Sequence, residues 1–148
     1  IMEIKGEEYR VAYEPTLATV TCEGAFRLRG SEYTPIAKLL DDVVDGRPAT
    51  ITLNVRELRF LNSSGINMLS KFVIKIRKQK QHASQVIVQG SREYPWQRKS
   101  LKNLQRLVQI VRNIANFGSS GQGQTLTYQF YIDKNLQHHL VSAALSGL

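Results

Sequence analysis

Apolar and polar positions along this chain follow two rhythms. Between Tyr9 and Tyr13 and between Ala18 and Thr21 the period is two, with Val11, Tyr13, Val20 and Cys22 apolar. This predicts two short strands turned by Glu14-Pro15-Thr16. Gly24 and Gly30 bracket Ala25-Phe26-Arg27-Leu28, read as irregular or edge structure. The rhythm then changes. Ile36, Leu39, Leu40 and Val43 recur at helical spacing after Thr34-Pro35, and Asp45-Gly46-Arg47-Pro48 closes the helix.

Ala49 to Val55 alternates again, with Ile51, Leu53 and Val55 on one side, and is the clearest strand in the sequence. Arg56 to Leu61 reads as a connection whose Leu58, Phe60 and Leu61 pack inward. A helix is predicted from Ser63 to Lys80, with Ile66, Leu69, Phe72, Val73 and Ile76 on one face and Lys71, Lys75 and Lys78 on the other. Gln85 to Val88 is a strand closed by Gly90. Pro95 opens a helix whose stripe is Leu101, Leu104, Leu107 or Val108, Val111 and Ile114, stopping near Gly118. Gly118 to Gly123 is a flexible connection, Thr125 to Ile132 alternates as a strand, and Leu136 to Leu145 is weakly helical. The expected fold is α/β, a mixed sheet of four to five strands flanked by three to four α-helices. Residues 1–117 form the domain, and 118–148 stand apart as a C-terminal extension.

Composition changes this picture in one respect. The net charge of +8 is not spread evenly. Lys71 to Arg112 holds 11 basic residues and one acidic, while residues 1–45 hold 5 basic and 9 acidic. One face is therefore expected to attract an anionic partner: an acidic protein, a phosphate, RNA or an anionic membrane. Two solvated helix faces account for the same numbers. No stretch approaches the roughly 20 apolar residues of a membrane span. The first residues lack a basic start followed by an apolar run, and Cys22 has no partner for an internal disulfide. A reducing, cytoplasmic setting is the expectation.

Phe60-Leu61-Asn62-Ser63-Ser64-Gly65 sits where a strand and its connection meet a strongly amphipathic helix. Asn and Ser are preferred helix caps, because their side chains accept from the unpaired N–H groups of the first turn. A phosphate on the Ser63 hydroxyl would meet the positive helix end and add a charge of roughly −1.5 to −2. Gly65 is expected to keep the backbone open to a visiting protein. A plain helix cap explains the same four residues.

The order hairpin, helix, strand, Ser-Ser-Gly turn, helix, strand, helix resembles the STAS domain, the family of bacterial anti-sigma factor antagonists. Ile51 to Leu69 is similar to that family's central signature, in which a hydrophobic strand leads into Asp-Ser-Ser-Gly or Asp-Thr-Ser-Gly and a Leu-rich helix. Its wording resembles a cyanobacterial subgroup of STAS-like regulators, and the likeness spans about residues 9–107. The resemblance implies a non-enzymatic signalling module. It binds a serine kinase that is also the anti-sigma-like partner, and phosphorylation at the position of Ser63 breaks the complex until a serine phosphatase restores it. The partner-binding residues it implies are Phe60, Asn62, Ser64, Gly65, Asn67, Met68 and Lys71. Asn62 departs from the family pattern, which has Asp there and so supplies a carboxylate.

No catalytic residue, cofactor or metal is expected. His82 and the adjacent His138-His139 lack ligand companions at workable spacing, and Gly118 to Gly123 lacks the Gly-Lys-Ser/Thr ending of a phosphate loop. Asp41, Asp42 and Asp45 lack the spacing of a calcium loop. Trp96, Arg98, Lys99 and Lys102 form a candidate secondary binding surface, since aromatics beside cations stack bases or anchor interfaces. Two rival functions stay open beside the antagonist-like one. One is a constitutive STAS-like adaptor subunit of a transport complex; the other is nucleic-acid binding through Lys71 to Arg112. The oligomeric state is left open, a dimer included.

Overall fold

The computed structural model describes residues 2–79, 85–107, 112–113 and 125–131. Strands β1 (Met2–Lys5), β2 (Tyr9–Glu14) and β3 (Thr19–Phe26) come first, followed by α1 (Thr34–Asp45) and β4 (Thr50–Leu61). Then come α2 (Ser63–Lys78), β5 (Gln85–Ser91), α3 (Pro95–Leu107), β6 (Arg112–Asn113) and β7 (Thr125–Tyr131). A short 3-10 turn, Gly30–Tyr33, leads into α1. The fold is mixed α/β with one sheet in the order β1-β2-β3-β4-β5-β7-β6. Its five long strands, β2, β3, β4, β5 and β7, match the number expected from sequence, and the short β1 and β6 extend the two edges.

β3, β4 and β5 run parallel, joined by helical crossovers, because parallel neighbours cannot be linked by a tight turn. β2 and β7 flank them antiparallel. Val20, Cys22, Ile51, Leu53, Val55, Val86 and Val88 point to one face of the sheet. There they meet Ile36, Leu40 and Val43 of α1, Leu69, Phe72 and Val73 of α2, and Leu101 and Leu104 of α3 in one core. The alternate positions Thr19, Thr21, Thr52, Asn54 and Gln89 are only partly buried, so the helices form a layer on one side and leave the other face polar.

β4 corrects the sequence reading most. Arg56 to Leu61 is not a connection but the second half of a strand paired with β3. The register slips twice, between Thr21 and Glu23 and between Gly24 and Ala25 of β3, each time with an extra residue in β4. The inward set thus becomes Ile51, Leu53, Val55, Leu58 and Leu61. Period two breaks at each bulge, and Phe60 is turned outward, 40% exposed rather than packed inward.

α3 ends at Leu107, short of the predicted limit, and Arg112–Asn113 pair with β7. β7, within the segment set apart as an extension, lies inside the same sheet and pairs with β5 along its whole length. The flexible connection at 118–123, the tail helix at 136–145 and all three histidines fall outside the described residues.

Candidate functional site

The C-terminal ends of the parallel strands β3 and β4 meet the N-terminus of α2, and Asn62 holds the junction. Its backbone N–H donates to the carbonyl of Phe26 at 3.2 Å, and its own carbonyl accepts from the N–H of Ile66 at 3.0 Å. The side-chain Oδ1 accepts from the Gly65 N–H at 2.9 Å, capping α2, and from the Tyr33 hydroxyl at 2.8 Å. Nδ2 donates to the carbonyl of Leu28 at 2.7 Å. One side chain thus ties together the end of β3, the entry to α1 and the start of α2. Tyr33 is buried, and desolvation pushes its hydroxyl up to about 12, so it stays a donor throughout the neutral range.

Gly65 corrects a second expectation. It is buried, and a Cβ there would run into the Leu61 side chain and lie 2.9 Å from the Tyr33 hydroxyl. Its missing side chain serves internal packing and gives no access to a visitor. Met68, expected on the partner surface, is 6% exposed and belongs mainly to the core.

Ser63 is exposed at the first position of α2, Ser64 is partly buried, and Asn67 and Lys71 are exposed. Beside them, between α1 and α2, runs a groove of about 440 Å³. Ser64, Asn67, Met68 and Lys71 form its α2 wall, and Ser31, Thr34, Ala37 and Asp41 face them. The structure therefore gathers four of the expected residues around one groove. The opposite wall, with Tyr33, escaped sequence reasoning. No local pattern marks residues some 29 positions away as partners of Asn62. Phe60 lies on the sheet side of the turn, with the Arg27 guanidinium 4.9 Å from its ring centroid and Arg27 paired to Glu8 at 3.0 Å.

Lys75 is not a solvated cation. It bridges α2 to α1, 3.0 Å from Asp45 and 3.5 Å from Asp41. Partial desolvation lowers its pKa, but the hydrogen bond to Asp45 and the charges of both aspartates outweigh that and raise it. Asp42 pairs with Lys38, so the three aspartates serve as helix-layer ion pairs.

The expected secondary surface divides. Trp96 packs against the core with its Nε1 donating to the carbonyl of Leu58 at 3.1 Å, while Arg98 and Lys99 are exposed and line, with Lys102, a groove on the outer side of α3. Helical rotation separates the ring from the cations. Gln97 has no exposed surface. It donates to the carbonyls of Val55 at 2.8 Å and Leu58 at 3.1 Å, and accepts from the Ser91 N–H at 2.7 Å. β5 pairs with β4 only as far as Asn54, so Gln97 and Trp96 satisfy carbonyls that the diverging strands leave unpaired. Gly90 makes the room: a Cβ there would lie 2.6 Å from Gln97 Oε1.

Among the described residues no group of three or more His, Cys, Asp or Glu is placed to hold a metal ion. Cys22 is fully buried, and desolvation pushes its thiol up to about 12. No described helix is long and apolar enough to cross a membrane. No family model, curated protein or solved structure matches this chain.

Proposed function

We propose that this chain is a non-enzymatic regulatory module, similar to the STAS-domain anti-sigma factor antagonists. Its partner is a serine kinase or anti-sigma-like protein, docking at the Phe60–Ser64 turn and the α1–α2 groove in a cytoplasmic, partner-switching pathway. The observation that carries the reading is the position of Ser63. Its hydroxyl side chain is exposed at the first residue of a long helix, on a turn fixed from within by Asn62, next in the chain to Ser64 of the groove wall. A phosphate there adds charge at a docking surface without disturbing the core, because every internal bond of the turn is made by Asn62 and not by Ser63. The element order expected from the resemblance supports it as well.

The test is recovery of a kinase-domain protein by the wild-type chain in a pull-down, with its loss on Ser63→Asp. Undiminished recovery by that variant overturns the phosphorylation switch.

A second reading is favoured by one bond. Nδ2 of Asn62 donates to the Leu28 carbonyl, which a carboxylate cannot do, so this position is occupied by a structural amide and not by an acid beside the phosphate acceptor. That suits a constitutive adaptor of a transport complex. Phosphate mapping in native cells separates the two: stoichiometric modification of Ser63 excludes the passive adaptor.

A further inference from the structure

One edge of the sheet is β1, and no described strand pairs with its outer side. Its ladder with β2 runs from Met2 to Lys5 without a bulge and contains no proline, so two of the usual devices that blunt a sheet edge are missing. The hydrogen-bond pattern decides which backbone groups are left over. The Gly6 N–H donates to the Tyr9 carbonyl at 2.9 Å. Bonded pairs alternate along an antiparallel ladder, so Ile4 and Met2 bond inward, to Val11 and Tyr13. Glu3 and Lys5 therefore turn their N–H and C=O groups to the open edge, where water or another strand must satisfy them.

The occupant follows from the side chains. Glu3 and Lys5 are exposed on the polar face of the sheet, in register with Ala12 and Arg10 of β2. Arg10 donates twice to Oε2 of Glu3, at 2.9 and 3.1 Å, and Oε1 accepts no bond from a described residue. Lys5 forms no ion pair with a described residue. Two copies paired about a two-fold axis must set outward backbone groups against outward ones, so within this span the axis passes at Glu3, Ile4 or Lys5. An axis at Glu3 opposes Glu3 to its own copy. One at Lys5 opposes Lys5 to itself and Glu3 to Glu7. Only the axis at Ile4 sets Glu3 against Lys5, and symmetry makes that pair twice. The same register brings the two Ile4 side chains together on the helix side, where each already packs against its own core. It also draws Met2, 37% exposed, into the seam. The edge is thus complementary to itself in charge.

We propose that two copies of this chain pair antiparallel through β1, centred on Ile4, so that the sheet continues across the seam. A seam four residues long is small beside the roughly 1,200–2,000 Å² of a stable interface, so the association is weak and emerges as concentration rises. Sedimentation of the full chain, in a series reaching millimolar concentration, is expected to show a monomer–dimer equilibrium. Amide exchange at Glu3 and Lys5 should slow as the dimer forms. Lys5→Glu and Glu3→Lys each set like charges against one another twice, and each should weaken self-association about tenfold or more. Mixing the two variants restores both opposite pairs, so the mixture should dimerise about as well as the wild type. Lys38→Glu, the same change of charge on α1, leaves the association unchanged. Thermal melts establish that the variants fold, since the exposed Glu3–Arg10 pair contributes little to stability. A chain that stays monomeric, an equal loss in Lys38→Glu, self-association indifferent to Lys5→Glu and Glu3→Lys, or a mixture no better than its components overturns the proposal. Ser63→Asp leaves the dimer unchanged, so failure here is distinct from failure of the Ser63 reading.

Discussion

The side-chain amide of Asn62 donates to the carbonyl of Leu28 at 2.7 Å, across 34 positions of sequence. The same side chain caps α2 through its other atom, so the loop after β3 and the first turn of the helix cannot move independently. This couples the groove wall at Ser31 and Thr34 to the helix end that carries Ser63.

Asn62→Asp keeps the cap but replaces the donor with an oxygen facing the Leu28 carbonyl. The expected cost is about 1–3 kcal/mol, the range for a partly buried group left without its partner. Urea unfolding measures it. An unchanged midpoint would mean that the amide bond does not matter.

Ser63 is exposed, and its side chain makes no bond in the turn. Ser63→Ala should change stability by no more than about 0.5 kcal/mol. Ser63→Asp should be neutral or stabilising by about 0.3–1 kcal/mol, from a negative charge at the positive helix end. Thermal melts of both variants decide whether a loss of partner binding can be assigned to the interface.

Gln97→Leu fills similar volume but strips three hydrogen bonds from the diverging β4 and β5. The Val55 carbonyl loses its donor outright, the Leu58 carbonyl keeps Trp96, and the Ser91 N–H is orphaned. A loss of about 2–5 kcal/mol is expected for two buried backbone groups left unpaired. Faster amide exchange at Ser91 is the local signature.

Cys22 and Tyr33 are held protonated by burial, pushed from 9.0 and 10.0 to about 12. The unfolded chain releases these protons first. Their contribution to stability is therefore complete below about pH 9 and is lost as pH rises toward 12. Cys22→Ala should flatten the lower part of this decline in alkaline denaturation curves. The wild-type thiol should label with iodoacetamide at pH 8 only as fast as the protein opens.

Most elements were legible because their apolar positions keep a strict period. Ile51, Leu53 and Val55 alternate, and Leu69, Phe72, Val73 and Ile76 recur at helical spacing, so β4 and α2 follow from burial on one face. The second half of β4 was hidden for the same reason in reverse, since two bulges shift Leu58 and Leu61 out of period and expose Phe60. The basic bias of Lys71 to Arg112 was also countable from the chain. Which of those cations remain exposed was not: Lys75 bridges to α1, whereas Lys71 and Lys78 form no ion pair with a described residue.

At the Asn62-Ser63-Ser64-Gly65 turn the division is sharpest. Sequence alone determined that α2 starts there, because cap chemistry is local and acts over three residues. Only the tertiary structure decided what each residue faces. Tyr33 and Leu28 reach Asn62 from far along the chain, Gly65 yields its space to Leu61, and Ser63 is left outside. Contacts at that separation leave no periodic trace, because they are set by how β3 and α1 close over the end of β4.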